Sequence, residues 1–171
     1  MKTRNAFVTF TICVLSGLTT TFFVNVHKVE ARPTTDCSKN VTGTYLATNS
    51  SSEFGSFRTI ITFTQDGNYF ASSSIQSGVP SLQPLSNVQG SWKCIGDREI
   101  TVTAFNFRFQ TATLPAGISR SDLRAIFDPK TGTVEVEGKL RTFDINANPL
   151  VDDVPVIGTF TFTGQRVKAG I

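Results

Sequence analysis

The chain has 171 residues, 16 Lys plus Arg against 13 Asp plus Glu, and only 17% charged residues. That length suits one domain, and 39% hydrophobic content excludes the polar, disordered class. Phe occurs 15 times against Trp once and Tyr twice, and a ring without a polar tip favours a large, dry interior over a wet binding surface.

The first element is a leader. Lys2 and Arg4 form a positive start, no charge follows from Asn5 to Val26, and Ala6–Leu18 with Phe22–Val24 is apolar. Val29-Glu30-Ala31 places small residues at the two positions a signal peptidase reads, predicting a cleaved signal segment over 1–31 and a secreted single domain over 32–171. The uncharged run is also long enough for an uncleaved anchor, although Thr9, Thr11, Ser16, Gly17, Thr19–Thr21 and Asn25 dilute its hydrophobicity. Cys13 follows Phe10-Thr11-Ile12, which lacks the small residue of a lipoprotein box.

Loss of Lys2, Arg4, Lys28 and Glu30 leaves 13 basic and 12 acidic residues with no Lys/Arg block, so nucleic acid is not an expected partner. The mature domain is not expected to insert stably in a membrane. Its only histidine, His27, goes with the leader. The mature part thus lacks the commonest base near neutral pH and the commonest ligand of zinc, copper or haem. No cofactor, metal centre or catalytic residue is predicted.

Export implies an oxidising compartment, where Cys37 and Cys94 have one possible intramolecular connectivity. Such a bridge stabilises by roughly 4 kcal/mol in the chain-entropy model. The alternative is two buried thiols. Asn40-Val-Thr42 and Asn49-Ser-Ser51 match the N-glycosylation pattern, which matters only in a eukaryotic secretory pathway.

Beyond Pro33 the chain alternates with period two and breaks at turn residues, the pattern of an all-β sandwich or barrel. Strands are predicted over 41–48, with Val41, Gly43, Tyr45 and Ala47 on one face, and over 57–64, with Phe57, Ile61 and Phe63 together. Asp66-Gly67 is a hairpin turn into a third strand over 69–76. A loop with Gly78, Pro80 and Pro84 follows, then a fourth strand over 88–95 carrying Val88, Gly90, Trp92 and Cys94 on one face. In a fifth strand over 99–110, Phe105, Phe107 and Phe109 are expected inward, opposite Asn106 and Arg108. The sixth, over 119–128, shows Leu123, Ala125 and Phe127 on one side. Asp128–Gly132 is a tight turn into a seventh over 133–143, where Val134, Val136 and Leu140 oppose Glu135, Glu137, Lys139 and Arg141. The last strand covers 156–166, with Phe160 and Phe162 inward. Eight sequential strands predict an antiparallel up-and-down barrel, whose closure removes the edges of an open sheet.

Gly43-Thr44-Tyr45 at the first strand and Gln165-Arg166 at the last resemble calycin-type barrels, the lipocalins, avidins and relatives. Those families open on Gly-x-Trp, and an Arg near the end packs across the aromatic ring; Tyr replaces Trp in this chain. The resemblance implies a lipocalin-like fold in which Tyr45 and Arg166 are a structural cation–π pair. Phe57-Arg58 with Thr62-Phe63, Gly90-Ser-Trp92 and Gly164-Gln-Arg166 are similar to small secreted bacterial lipocalin-like proteins of unknown function, over most of residues 37–168.

Other constellations read as surface. Glu135 and Glu137 share a face with Lys139 and Arg141, Asp144 with Asp152-Asp153 reads as a polar loop, and Arg120, Asp122 and Arg124 as an outer ladder. No serine sits in Gly-x-Ser-x-Gly, and no phosphate loop or dinucleotide fingerprint occurs. An eight-stranded barrel is either filled by its side chains or holds one small ligand. Ile61, Phe63, Phe105, Phe107, Phe109, Leu123 and Phe127 are therefore candidates both for core and for a ligand-binding lining.

The leading expectation is a secreted barrel that binds a small hydrophobic molecule. The first alternative is a module that binds or inhibits an extracellular protein through loops 77–87 and 146–155. The second is a histidine-free isomerase or cyclase, which a carboxylate or Arg alone inside the barrel would favour.

Overall fold

The computed structural model describes residues 36–51, 55–80, 82–151 and 153–170; the expected leader lies outside them. A short helix, α1 (Asp36–Val41), precedes eight strands: β1 (Gly43–Ser51), β2 (Gly55–Phe63), β3 (Asn68–Ser73), β4 (Val88–Cys94), β5 (Glu99–Arg108), β6 (Gly117–Asp128), β7 (Thr133–Asp144) and β8 (Gly158–Arg166). Each strand pairs antiparallel with the next and β8 returns to β1, closing the expected barrel. Val41, expected in the first strand, ends α1 instead.

The turns sort the barrel into two ends. The β2–β3, β4–β5 and β6–β7 turns are short and share an end with α1. In the β2–β3 turn Gly67 adopts φ 90°, a backbone conformation that costs glycine least. The β1–β2, β3–β4, β5–β6 and β7–β8 loops surround the other end, the mouth, and include the two longest connections, 74–87 and 145–157.

The α1 end is filled. Tyr45, Phe63 and Phe127 contact one another edge to face at 5.4–5.9 Å between centroids, and Tyr69 and Trp92 pack onto Phe63 at 5.3 and 6.3 Å. Ile61, Ile100, Val102, Ala104, Leu123, Ala125, Val134 and Val136 belong to the same cluster. The polar tips are satisfied: the Tyr45 hydroxyl donates to the Val41 carbonyl at 3.0 Å and Trp92 Nε1–H to the Thr64 carbonyl at 3.1 Å. Cys37 of α1 is joined to Cys94 at the end of β4, so the helix is covalently held over this end.

Candidate functional site

Register fixes which side chains face the interior. On β5 the pairs Ile100–Ala125, Val102–Leu123, Ala104–Ser121 and Asn106–Ser119 point the even positions inward. Phe105, Phe107 and Phe109 therefore point outward, contrary to the sequence expectation; Phe107 and Phe109 are 52% and 50% exposed. The apolar phase of β5 changes halfway, from Ile100, Val102 and Ala104 to the three phenylalanines, whereas a regular pleat keeps one phase throughout. Of the remaining lining candidates, Ile61, Phe63, Leu123 and Phe127 do face inward and are buried, but all four belong to the packed core.

The half of the interior toward the mouth has a different composition. Its inward positions mix small residues, Ser73, Gly90, Ala104, Gly117, Ser119 and Ser121, with the larger Phe57, Val88 and Leu140. The space above Gly90 and Gly117 is taken by Ala104 and the Arg108 guanidinium, whereas Ser73, Ser119 and Ser121 reach only a short way into the section. Two further inward rings, Phe160 and Phe162, are half-buried, pack against the buried core and stack at 6.2 Å with an interplanar angle of 6°. Phe160 lies flat on the β7 wall, because a Cβ on Gly138 would come within 2.3 Å of its ring.

Polar groups are set into this half. Asn49 is buried and donates to Thr59 Oγ1 at 3.0 Å. Asn106 and Ser119, paired across β5 and β6, are 9% and 5% exposed, and neither side chain finds a hydrogen-bond partner among the described residues. Buried polar groups are normally satisfied, so these two face water or a ligand. The inward place of these polar groups is not visible without the register.

Above them, Arg108 ends the inward row of β5. Its guanidinium crosses Gly117 of β6, where a Cβ would lie 2.3 Å from Nη2, and donates to the Phe143 carbonyl at 3.3 Å. From the β3–β4 loop, Gln83 covers it: Gln83 Oε1 accepts from Nη1 at 3.4 Å, and Gln83 Nε2 donates to the Phe109 carbonyl at 2.7 Å. The buried Arg108 Nε has no partner.

Outside, Asp122 holds Arg120 and Arg141 at 3.0 and 2.5 Å, and these arginines donate to the Pro149 and Val154 carbonyls. The β7–β8 loop is thereby tied to the outer wall. Arg124 pairs instead with Glu99 at 2.6 Å. A groove of about 210 Å³ on that wall runs past Arg124, Ile126, Glu135, Glu137, Thr161 and Thr163. Among the described residues no group of three or more His, Cys, Asp or Glu could hold a metal ion, and no helix is long and apolar enough to cross a membrane.

No protein-family model matches the chain, and comparison with curated proteins and with solved structures likewise finds no match.

Proposed function

We propose that the protein is a secreted, lipocalin-like barrel that binds one small, largely hydrophobic molecule in the half of its interior nearest the mouth. The observation that carries this reading is the group of short polar side chains, Ser73, Asn106, Ser119 and Ser121, that faces the interior beyond the interlocked rings of the α1 end. An eight-stranded barrel is of the size that can hold one small ligand, and Phe160 with Phe162 supplies a flat apolar wall. The unpartnered Asn106 and Ser119 supply fixed polar points of the kind that orient a ligand in such sites. The Cys37–Cys94 bridge supports the exported location, and a leader ending near Ala31 is its proposed route.

The test is titration with N-phenyl-1-naphthylamine, a neutral dye whose fluorescence rises in apolar surroundings. Saturable binding at one site is expected, abolished by Ser121→Phe while Trp92 emission shows the barrel intact. Absence of saturable binding to the unmodified protein defeats the reading.

A second reading, a protein-binding module, draws on the β7–β8 loop. That loop exposes Leu150 (71%), Val151 (77%) and Ile157 (60%) while Arg120 and Arg141 hold its backbone. Rigidly presented apolar residues are a common docking device. Replacing Leu150 and Val151 by Ser should then abolish capture of an extracellular partner without changing dye binding.

A further inference from the structure

Arg108 differs from the arginines of the outer wall. Arg120, Arg124 and Arg141 each have a carboxylate within 2.5–3.0 Å. Arg108 has none among the described residues. Its two acceptors, Gln83 Oε1 and the Phe143 carbonyl, are neutral and lie at 3.4 and 3.3 Å, the long limit for such bonds. Its Nε is buried and unpaired. Withdrawing a guanidinium from water without an anion is costly, and its planar fork matches a carboxylate in two parallel bonds.

Resting on the reading of the barrel as a small-molecule binder, we propose that Arg108 receives the carboxylate head of an amphipathic ligand, whose apolar part lies below it along Phe160 and Phe162. Gln83 Oε1 occupies the position of one carboxylate oxygen. The exchange is local to the Gln83 side chain, because the flanking backbone is tied down: Ser86 N–H donates to the Phe107 carbonyl and Phe109 N–H to the Pro84 carbonyl, both at 2.9 Å. Directly beneath Arg108 on the same inward face, Asn106 and Ser119 offer the next hydrogen bonds to a ligand. Among the described residues, the one acidic side chain sharing this rim by register, Asp144 opposite Gly117, is exposed and accepts from the Asn146 backbone at 2.9 Å.

The experiment measures displacement of N-phenyl-1-naphthylamine from the purified, oxidised protein by dodecanoate and by dodecanol. Dodecanoate is expected to bind about tenfold more tightly, the increment of a charge-assisted hydrogen-bond pair. Arg108→Met should remove that preference. Gln83→Glu, which gives Arg108 a carboxylate from within the chain, should weaken dodecanoate about tenfold and leave dodecanol within about twofold. Should Arg108→Met not fold, Gln83→Glu, with its fold checked by Trp92 emission, decides the matter. Equal affinity for acid and alcohol, or a preference unchanged in these variants, overturns the assignment to Arg108 while the binding barrel stands. Failure of the dye itself to bind overturns both.

Discussion

Tyr45 and Arg166 stand directly opposite each other at the seam where β1 closes onto β8, with the guanidinium carbon 5.8 Å from the ring centroid. Arg166 also donates to the Thr42 carbonyl, and it lies over Gly43, where a Cβ would be 2.9 Å from its Nε. The Gly43-x-Tyr45 pattern thus has a physical reason: a bare backbone beneath the guanidinium and a ring beside it. Arg166→Ala should cost about 2 kcal/mol, the sum of a cation–π contact and a charged hydrogen bond. Arg166→Lys, keeping the charge without the plane, should recover part of it. Urea unfolding followed by Trp92 emission reads both, and a loss under about 0.5 kcal/mol for the Ala variant contradicts the assigned role.

The two tyrosines are the whole phenol content of the chain. Burial raises the pKa of Tyr69 well above its ordinary value; burial also raises that of Tyr45, partly opposed by the Arg166 charge. The fold therefore favours both protonated phenols. Their contribution is fully present below the unfolded pKa, about 10, and is lost as pH rises from there toward the folded values. Phenolate absorbance should show no titration centred near pH ~10 and should appear together with loss of Trp92 burial at higher pH. An ordinary titration in the folded protein contradicts the packing of the aromatic end.

Cys37 and Cys94 are separated by 57 positions. Replacing both by Ser should lower stability by about 4 kcal/mol if the bridge acts by limiting the unfolded chain. Comparison of urea midpoints for the oxidised protein and the double variant measures this. A difference below about 1 kcal/mol means that α1 is held by its packing and the Tyr45 hydroxyl instead.

Gly90 and Gly138 both lack room for a Cβ, but for different reasons. At Gly90 the clash is with the backbone of β5, 2.3 Å from the Thr103 carbonyl; at Gly138 it is with the Phe160 ring. A ring can turn and a paired strand cannot. Gly138→Ala should cost about 1–3 kcal/mol and push Phe160 into the mouth, weakening dye binding, while Gly90→Ala should cost more. Equal thermal shifts for the two variants argue against this distinction.

Asp122 holds two arginines that in turn hold the β7–β8 loop. Asp122→Asn should speed amide exchange across 145–157 and change global stability by no more than about 1 kcal/mol, since all three side chains are partly exposed. Unchanged exchange in that loop shows that the clamp is dispensable.

Much of this architecture is legible in the sequence. Eight alternating runs with turn residues between them are a local property of strands, so strand number, sequential pairing and closure followed from the pattern. Inward Val88, Trp92 and Cys94, or Leu123, Ala125 and Phe127, were readable because one phase of each strand is consistently apolar. The Cys37–Cys94 pairing was one of two readings the composition allowed.

What tertiary structure alone decided lies where local pattern is ambiguous. On β5 two apolar phases compete, and only pairing with β4 and β6 turned Phe105, Phe107 and Phe109 outward and brought Asn106 and Arg108 in. The mouth is assembled by residues far apart in the chain, Gln83 over Arg108 and Arg108 across Gly117, so no window of sequence contains it. Side-chain alternation is a two-residue property that the chain carries by itself. The inside of a closed barrel is a property of register, which depends on all eight strands at once.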